Sequence, residues 1–572
     1  MLNFENLKNL QKHITYLQEI IQKEDIFIVW WSIRDILLWF EKDPKDIDIT
    51  AGWNPQDIYE KIKKEDISIF KTDKFGTITI IPKSQKSIEK LQYELTPLRS
   101  EWNYEDFRHP WEINWTSDIL LDSKRRDFSI NCIYYYYCQI DIQTESRKKI
   151  NKESEFHRIL DHEWYIFLRD KNCLIIKDND TIAKLFNDAK LDKDKLKELT
   201  NKWYFLDNDE KSGYWIQIII DPAWWMQDLI SKKIKAVWNP DDRFQEDALR
   251  IIRWVRIPNI LNQKIEKKFK SEWLKELKTF DYDTHTWKSM KKNFFLVQFI
   301  AKERVKDEIM KSFKANNPFG FIVLLDELNI LKYLFPSFYL CKNSAQPVRY
   351  HALDTFAHTL MTFYHVQKIN KDTIVRFAML YHDVWKPDQY YYASIWLEKE
   401  EIRKMHGSYV NHPISGKDMA IKDFKALWFS KKEVEEIWFY VREHLLIWEV
   451  LSANEENIPK KIKKLLSEIW YKRLLNLVDI CIADRQWQYN PLQSSNIQPL
   501  KNLKNLIKDI YKKQWEFSQK DLAIDWNDII KELGIQAWPE VWKKIKKALD
   551  WTIQDIKNRN NKKAIIDFLK QN

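Results

Sequence analysis

The chain of 572 residues carries 94 Lys and Arg against 84 Asp and Glu, a formal net charge of +10 at neutral pH. That length leaves room for three or four domains with cores of their own, and the mild basic excess suits a polyanionic partner without requiring one. No apolar run approaches the roughly 18 residues of a membrane span, the N-terminal stretch MLNFENLKNLQKHITYLQEI reads as a mixed amphipathic helix and not as a leader, and the five cysteines (Cys132, Cys138, Cys173, Cys341, Cys481) form no CxxC pair; a soluble, intracellular, cytoplasmic protein with no membrane partner, no disulfide framework and no zinc ribbon is expected.

The first informative stretch is FIVWWSIRDILLWFEKDPKDIDIT, Phe27 to Thr50. Phe27 to Val29 is a short β-branched strand, Ser32 to Leu38 is compatible with a helix, and Asp46-Ile47-Asp48-Ile49 alternates charged with apolar residues. Period-two geometry places Asp46 and Asp48 on one strand face. Two adjacent carboxylates repel unless a cation lies between them, and a divalent metal serving phosphoryl or nucleotidyl transfer is the usual resident; a solvated acidic edge strand is the plainer alternative.

Trp30 and Trp31 stand where that strand must turn sharply into the helix, a place that calls for glycine if backbone amides are to meet a phosphate. The chain has 7 Gly and 28 Trp, whereas ordinary usage would give about 40 Gly at this length. Trp224-Trp225 after Asp221-Pro222, Trp385 before Lys386-Pro387 and Trp428 at a helix end occupy similar positions. The expectation is that many of these tryptophans are glycine in the living protein, UGA codons having been written as Trp. With glycine restored the stretch resembles the head-domain signature of the tRNA nucleotidyltransferase and poly(A) polymerase family, class II of the polymerase-β-like nucleotidyltransferases. The resemblance implies that Trp30, Trp31 and Arg34 hold the triphosphate and that Asp46 and Asp48 are catalytic and bind Mg2+.

Further along, Phe75 to Ile80 alternates as a strand, and Tyr93 to Pro110 reads as a basic, partly mobile loop whose Arg99, Tyr104, Asp106 and Arg108 match the family pattern. Arg125-Arg126-Asp127-Phe128-Ser129-Ile130-Asn131 is more specific, since two arginines beside an acid call for phosphate or sugar oxygens. By resemblance Arg125 and Arg126 bind nucleotide and Asp127 is a third catalytic acid; an ion-pair network is the alternative. Residues 138–214 depart from the family as an insertion with a Lys/Glu-rich helical pattern, and its His157 and His162 are read as solvated. Ile218 to Leu229 (IIIDPAWWMQDL) matches the DP-x-GG element, a hinge. In the following segment Asp247 and Arg250 lie three apart and share a face if helical, with Arg253 a turn further. The resemblance makes Glu246, Asp247 and Arg250 the surface that reads CTP and ATP by their base edges, with Arg253 beside it; a salt-bridged helix is the alternative.

Residues 258–345 read as helical neck and body. The block from His351 to Trp487 then holds His358, His382-Asp383, His412, His444 and Asp484. Imidazole and carboxylate at this wide spacing suit Mn2+, Ni2+ or Fe2+. The block resembles the HD phosphohydrolase domain of some bacterial CCA-adding enzymes. Asp521 to Leu549 resembles their terminal helix-turn-helix, with lysines placed for RNA backbone. The expected fold is α+β: a head with a mixed sheet and helices (1–230), then an all-α neck (231–345), HD domain (346–490) and tRNA-binding tail (491–572). The expected activity is template-independent CCA addition to tRNA from CTP and ATP. A poly(A) or A-only polymerase, suggested by Ile133-Tyr134-Tyr135, an HD phosphohydrolase with a decayed head, and a non-catalytic tRNA-binding protein remain open.

Overall fold

The computed structural model describes residues 5–21, 25–38, 40, 43–44, 46–62, 67–72, 76–83, 91–104, 110–140, 159–161, 165–168, 173–176, 182, 185–187, 190–191, 214–222, 225–269, 279–342, 344, 353–384, 386, 412–487, 496–515, 522–535, 538–553 and 559–571. Asp106, Arg108, His157, His162, Trp224, His351, Trp385 and nearly all of the Lys/Glu-rich stretch after Leu191 lie outside the described residues. Two compact units divide the chain: Met1–Glu308 with Leu324–Ile330, and Ile309–Val323 with Leu331–Asn572.

The first unit is built on a ten-stranded mixed sheet in the order β3-β4-β5-β2-β1-β8-β14-β11-β10-β9. β1 (Phe27–Val29) lies near its middle, antiparallel to β2 (Asp46–Thr50) and β8 (Tyr134–Ile140). All three residues of β1 are buried, so this short apolar run has a neighbour on either edge and packing on both faces. β2 runs parallel to β5 (Gln92–Leu95), and β5 is antiparallel to β4 (Thr77–Pro82), which pairs with β3 (Ile67–Thr72). Tyr93 to Pro110 is therefore not mainly a loop. Tyr93–Leu95 belongs to β5, while β6 (Arg99–Tyr104) and β7 (Pro110–Trp115) form a separate antiparallel hairpin. Charged residues disguised these strands because only alternate side chains of a two-faced sheet need be apolar.

The insertion extends the sheet. β9 (Ile159–Asp161), β10 (Tyr165–Leu168) and β11 (Cys173–Ile176) continue it beyond β14 (Tyr214–Ile220), with β11 parallel to β14. Ile176, Ile182, Leu185, Phe186 and Leu191 share one core with Phe27, Val29, Tyr134 and Ile218. At roughly 25 cal/mol per Å2 of apolar surface buried, such residues contribute to the stability of the head.

Helices follow the sheet. Pro240–Glu246 and Leu249–Phe269 are separate helices, with Asp247 extended between them at φ −140°, ψ 100°. Asp247 and Arg250 thus flank a break and do not share the face of one helix as the periodicity predicts. Among the described residues of the neck, the small parallel pair β15 (Lys233–Ile234) and β16 (Asp281–Tyr282) stands apart from the helices. The second unit is helical in its described residues, and 522–571 has its own core of Leu522, Ile524, Ile529, Val541, Ala548, Ile565 and Leu569. Among the described residues no helix is long and apolar enough to cross a membrane.

Among the described residues five non-glycine residues have positive φ, and three of these are tryptophan: Trp30 (63°), Trp238 (64°) and Trp428 (61°). After the helix His412–Ala426, the Phe429 N–H donates to Phe424 O and the Trp428 N–H to Lys425 O. That is the Schellman arrangement, and Trp428 holds its glycine position. After the helix Pro318–Glu327, Asn329 stands at the same position with the same pair of bonds, and Gly534 caps the helix Trp526–Leu533. Asn and Gly are the usual residues there, whereas an indole gains nothing from the left-handed conformation. The Trp238 and Trp428 side chains are 55% and 63% exposed, so little burial offsets the strain. Trp428→Gly and Trp238→Gly should each raise stability by about 1 kcal/mol. Urea unfolding measures this, and an unchanged or lower midpoint would show that these turns tolerate the indole.

Candidate active site and a second candidate metal centre

Trp30 closes β1 at φ 63°, ψ −138°, and caps the helix Trp31–Leu37 without a side-chain hydrogen bond. Its ring meets that of Trp31 edge-on at 6.0 Å and lies 5.3 Å from the Arg126 guanidinium, while the Trp31 ring lies 5.9 Å from that of Arg34. Each indole thus covers one arginine beside the turn.

On β2, Asp46 is exposed and Asp48 half-buried, on the same face. The parallel register sets Asp48 opposite Glu94 of β5. Burial first, then the Glu94 and Asp46 charges, push the Asp48 carboxyl up to about 7, against a hydrogen bond from Trp31 and the charge of Arg126. Asp48 Oδ2 is enclosed and makes no hydrogen bond. Three carboxylates on one face, one of them raised and with an orphaned oxygen, fit a divalent cation. Glu94 was missed from sequence; its signal was the alternation Gln92-Tyr93-Glu94-Leu95, which matches that of β2. A cavity of about 770 Å3 beside the turn is lined by Trp31, Ser32, Arg34, Asp46, Arg256 and Lys264 among others, within the size range of small-molecule sites.

The remaining head residues are held by acids. Arg34 is buried, donating to Asn131 Oδ1 at 2.8 Å and pairing with Asp35 at 2.6 Å, which also takes Lys264 at 2.5 Å. Arg125 and Arg126 both converge on Asp122, each at 2.6 Å, and Tyr134 donates to the same carboxylate at 2.8 Å. Burial alone would raise Asp122, but the two guanidiniums hold it well below the usual carboxylate range. Arg126 keeps one enclosed nitrogen, Nη1, with no hydrogen-bond partner. Asp127 pairs with Arg253 at 2.7 Å. Arg250 donates to Glu246 at 2.8 Å and to the backbone carbonyls of Arg243 and Arg125, while Asp247 is gripped by Arg304 at 2.8 and 3.2 Å. Arg304 carried no sequence signal.

In the second unit His358, His382 and Asp484 offer ligand atoms that all lie within 4.8 Å of one another. His358 sits on the helix Thr355–Ile369, His382 and Asp383 directly follow the helix Thr373–Tyr381, and Asp484 lies on Tyr471–Trp487. His358 Nε2 is 3.1 Å from Asp484 Oδ1 and 3.6 Å from Asp383 Oδ2. His382 donates Nδ1–H to Met379 O at 2.8 Å, and His444 does the same to Val441 O at 2.6 Å. That bond turns each Nε2 away from the backbone, as in second-shell support of metal-bound imidazoles. The His382 and His444 rings are 5.6 Å apart, and His382 Nε2 is enclosed without a hydrogen bond. Burial would raise Asp484, but the hydrogen bond with His358 and the charges of His358 and His382 hold it well below its usual range. This buried set of nitrogen and oxygen donors fits a transition-metal ion. Lys386 pairs with Asp383 at 2.5 Å. The His412 side chain lies outside the described residues.

The head defines the class by likeness. Residues 26–146 match the family described as the poly A polymerase head domain, and 279–341 match the probable RNA and SrmB-binding site of polymerase A. The solved structure of the Bacillus stearothermophilus CCA-adding enzyme in complex with CTP shares the fold at TM-score 0.50 and 16% identity, covering 98% of this chain and 97% of that one. The α+β head followed by a mostly helical region is therefore the fold of the chain.

Among particular proteins, the chain is similar to the CCA-adding enzyme of Enterococcus faecalis, 26% identical over 245 residues, 43% of this chain and 38% of that protein. The CCA-adding enzyme of Lactobacillus gasseri is 33% identical over 109 residues, 19% of this chain and 25% of that protein. The chain matches between 25% and 57% of the length of such curated relatives.

The Asp48 shift has a thermodynamic consequence. Between about pH 4 and 7 the unfolded chain releases this proton while the folded chain retains it, so stability falls as pH rises through that window. In metal-free buffer Asp48→Asn should therefore melt above the wild type at pH 8, with the difference vanishing near pH 4. Melting curves across pH check this; a constant difference would refute the shift.

Proposed function

We propose that the chain is a template-independent nucleotidyltransferase that builds or repairs the CCA end of tRNA from CTP and ATP. The observation that carries the reading is the carboxylate face of Asp46, Asp48 and Glu94 beside the left-handed turn at Trp30. The likeness to relatives named CCA-adding enzymes supports the same activity. Asp46 and Asp48, with Glu94 alongside, would hold Mg2+, which would supply neutralisation of the triphosphate charge and ease ionisation of the RNA 3′ hydroxyl. The RNA 3′ oxygen attacks the α-phosphorus in line, the bond to the bridging oxygen breaks, and pyrophosphate leaves. Arg34 and the free Nη1 of Arg126 face the phosphates, while Asp122 keeps Arg125 and Arg126 in place. Asp127 orients Arg253. Asp247 accepts from the exocyclic amine of C or A, and Arg250, held by Glu246, donates to the ring nitrogen or carbonyl. The boundaries we assign are head 1–230, neck and body 231–345, HD domain 346–490 and tail 491–572.

The reading includes glycine at positions 30, 31, 224 and 225 in the natural protein. Support comes from the left-handed Trp30 and from the two indoles, which cover the phosphate-facing arginines. Trp254 is a counter-example, fully buried 4.6 Å from Phe128 and 5.6 Å from Phe244, a packing that suits a true tryptophan.

A second reading, for the other unit, rests on the cluster of His358, His382 and Asp484, with Asp383 beside the two histidines: a metal-dependent phosphohydrolase, with His444 and His412 as further ligands and Mn2+, Ni2+ or Fe2+ as the ion. A tRNA lacking CCA, given CTP alone, ATP alone or both, separates CCA addition from A-only or poly(A) synthesis. Asp46→Ala and Asp48→Ala should each reduce incorporation at least 1000-fold while tRNA binding stays within about twofold. The chain with tryptophan at 30 and 31 should be at least 100-fold slower than Trp30→Gly, Trp31→Gly. His382→Ala should remove Mn2+-stimulated hydrolysis of p-nitrophenyl phosphate and leave CCA addition unchanged. Poly(A) tails from ATP alone, or turnover retained in the Asp46→Ala, Asp48→Ala double variant, would reject the first reading.

A further inference from the structure

We propose that Arg304 is a positioning residue for base selection, acting through Asp247. This rests on the reading of Asp247 as a base-edge acceptor. Asp247 lies in extended backbone between two helices, and its side chain is held from two directions. Its Oδ1 accepts the Leu249 N–H at 3.1 Å and Arg304 Nη1 at 3.2 Å; its Oδ2 accepts Arg304 Nη2 at 2.8 Å. Arg304 reaches it from the helix Lys302–Lys314, 57 residues downstream. The two side chains are 25% and 15% exposed, so this is not a freely solvated surface pair.

The arrangement matters because Arg250, three residues from Asp247, is a closer candidate in sequence. Its guanidinium goes elsewhere, to Glu246 and to the carbonyls of Arg243 and Arg125. For Asp247 the two-pronged Arg304 guanidinium fixes the carboxylate plane, and Oδ2, accepting a single bond, keeps a lone pair for another donor. An ionised, immobile acceptor at that point accepts from the amine of cytosine or adenine and repels the carbonyl that uracil or guanine presents there. A carboxylate free to turn about its own bond would lose that discrimination. Lysine in place of Arg304 would keep the charge without the two-pronged geometry.

The test is single-nucleotide incorporation by the full chain produced with glycine at 30, 31, 224 and 225, alongside its Arg304→Ala and Arg304→Lys variants, on tRNA lacking CCA. KM and kcat are measured for CTP, ATP, UTP and GTP, with tRNA Kd and melting temperature. For Arg304→Ala the ratio of kcat/KM for CTP over UTP should fall roughly ten- to a hundredfold. KM for CTP and ATP should carry most of the loss, kcat should stay within about threefold, and tRNA Kd should stay within about twofold. Arg304→Lys, which guards against loss of the fold, should fall between Arg304→Ala and the parent. A selective parent whose two variants remain equally selective overturns the inference alone. So does a variant that weakens tRNA binding with selectivity intact, since Arg304 would then be an RNA-phosphate contact. A parent that does not prefer CTP and ATP removes the proposed function, and the inference with it.

Discussion

The backbone at residue 30 is the constraint on which the head depends. A strand buried near the middle of a ten-stranded sheet ends there and a helix begins at the next residue, leaving one peptide in which to turn. The turn is made at φ 63°, ψ −138°, a conformation that costs an L-residue with a β-carbon but not glycine. Because the turn is tight, the first helical turn after β1 stays beside the C-terminal end of that strand, close to the acids of β2. The site is therefore placed by sheet pairing, and the Trp30 indole, packed on the sheet core, lies near Arg126 while that of Trp31 lies near Arg34.

Charge pairing in the head follows one pattern: each functional-looking arginine has an acid behind it. Asp122, 0% exposed, anchors Arg125 and Arg126; Asp35 anchors Arg34 and Lys264; Asp127 holds Arg253; Glu246 holds Arg250. A buried guanidinium without such a partner would meet a large desolvation cost. With one, it keeps a fixed orientation and can offer a remaining nitrogen to an anion, as Arg126 Nη1 can. The strand acids are treated in the opposite way. Asp48 has Glu94 and Asp46 beside it and is raised, not lowered. Among the described residues, the acids that hold arginines are thus neutralised by the protein, whereas the carboxylates of β2 and β5 call for a cation from outside.

The second unit uses buried polarity differently. Its His and Asp cluster is assembled from three helices whose contributing residues are separated by up to 126 positions, and the imidazoles of His382 and His444 are oriented by carbonyls one turn back on their own chain segments. Nearby, buried Arg376 is satisfied by the backbone carbonyls of Phe313, Ala315, Gln367 and Asn370 with no acid among these partners. Such carbonyl capping lies at the C-terminal ends of the helices Lys302–Lys314 and Thr355–Ile369.

Local residue pattern was enough to determine the strand-turn-helix-strand order of Phe27 to Thr50, the shared face of Asp46 and Asp48, the alternating strand at Thr77–Pro82 and the helical character of the second half. These depend on backbone preferences and on periods of two or 3.6 residues, which neighbours in the chain fix among themselves. The glycine deficit was legible too, and the positive φ angles at Trp30 and Trp428 fall at two of the positions singled out from it, whereas Trp238 was not among them. Only the tertiary structure set Glu94 beside Asp48, joined the insertion to the head sheet, broke the helix at Asp247 and chose Arg304 as its partner. Strand register, helix breaks and ion pairs between residues some 50 positions apart are settled by which surfaces pack together. A one-dimensional pattern carries the donors and acceptors but not the distances between them.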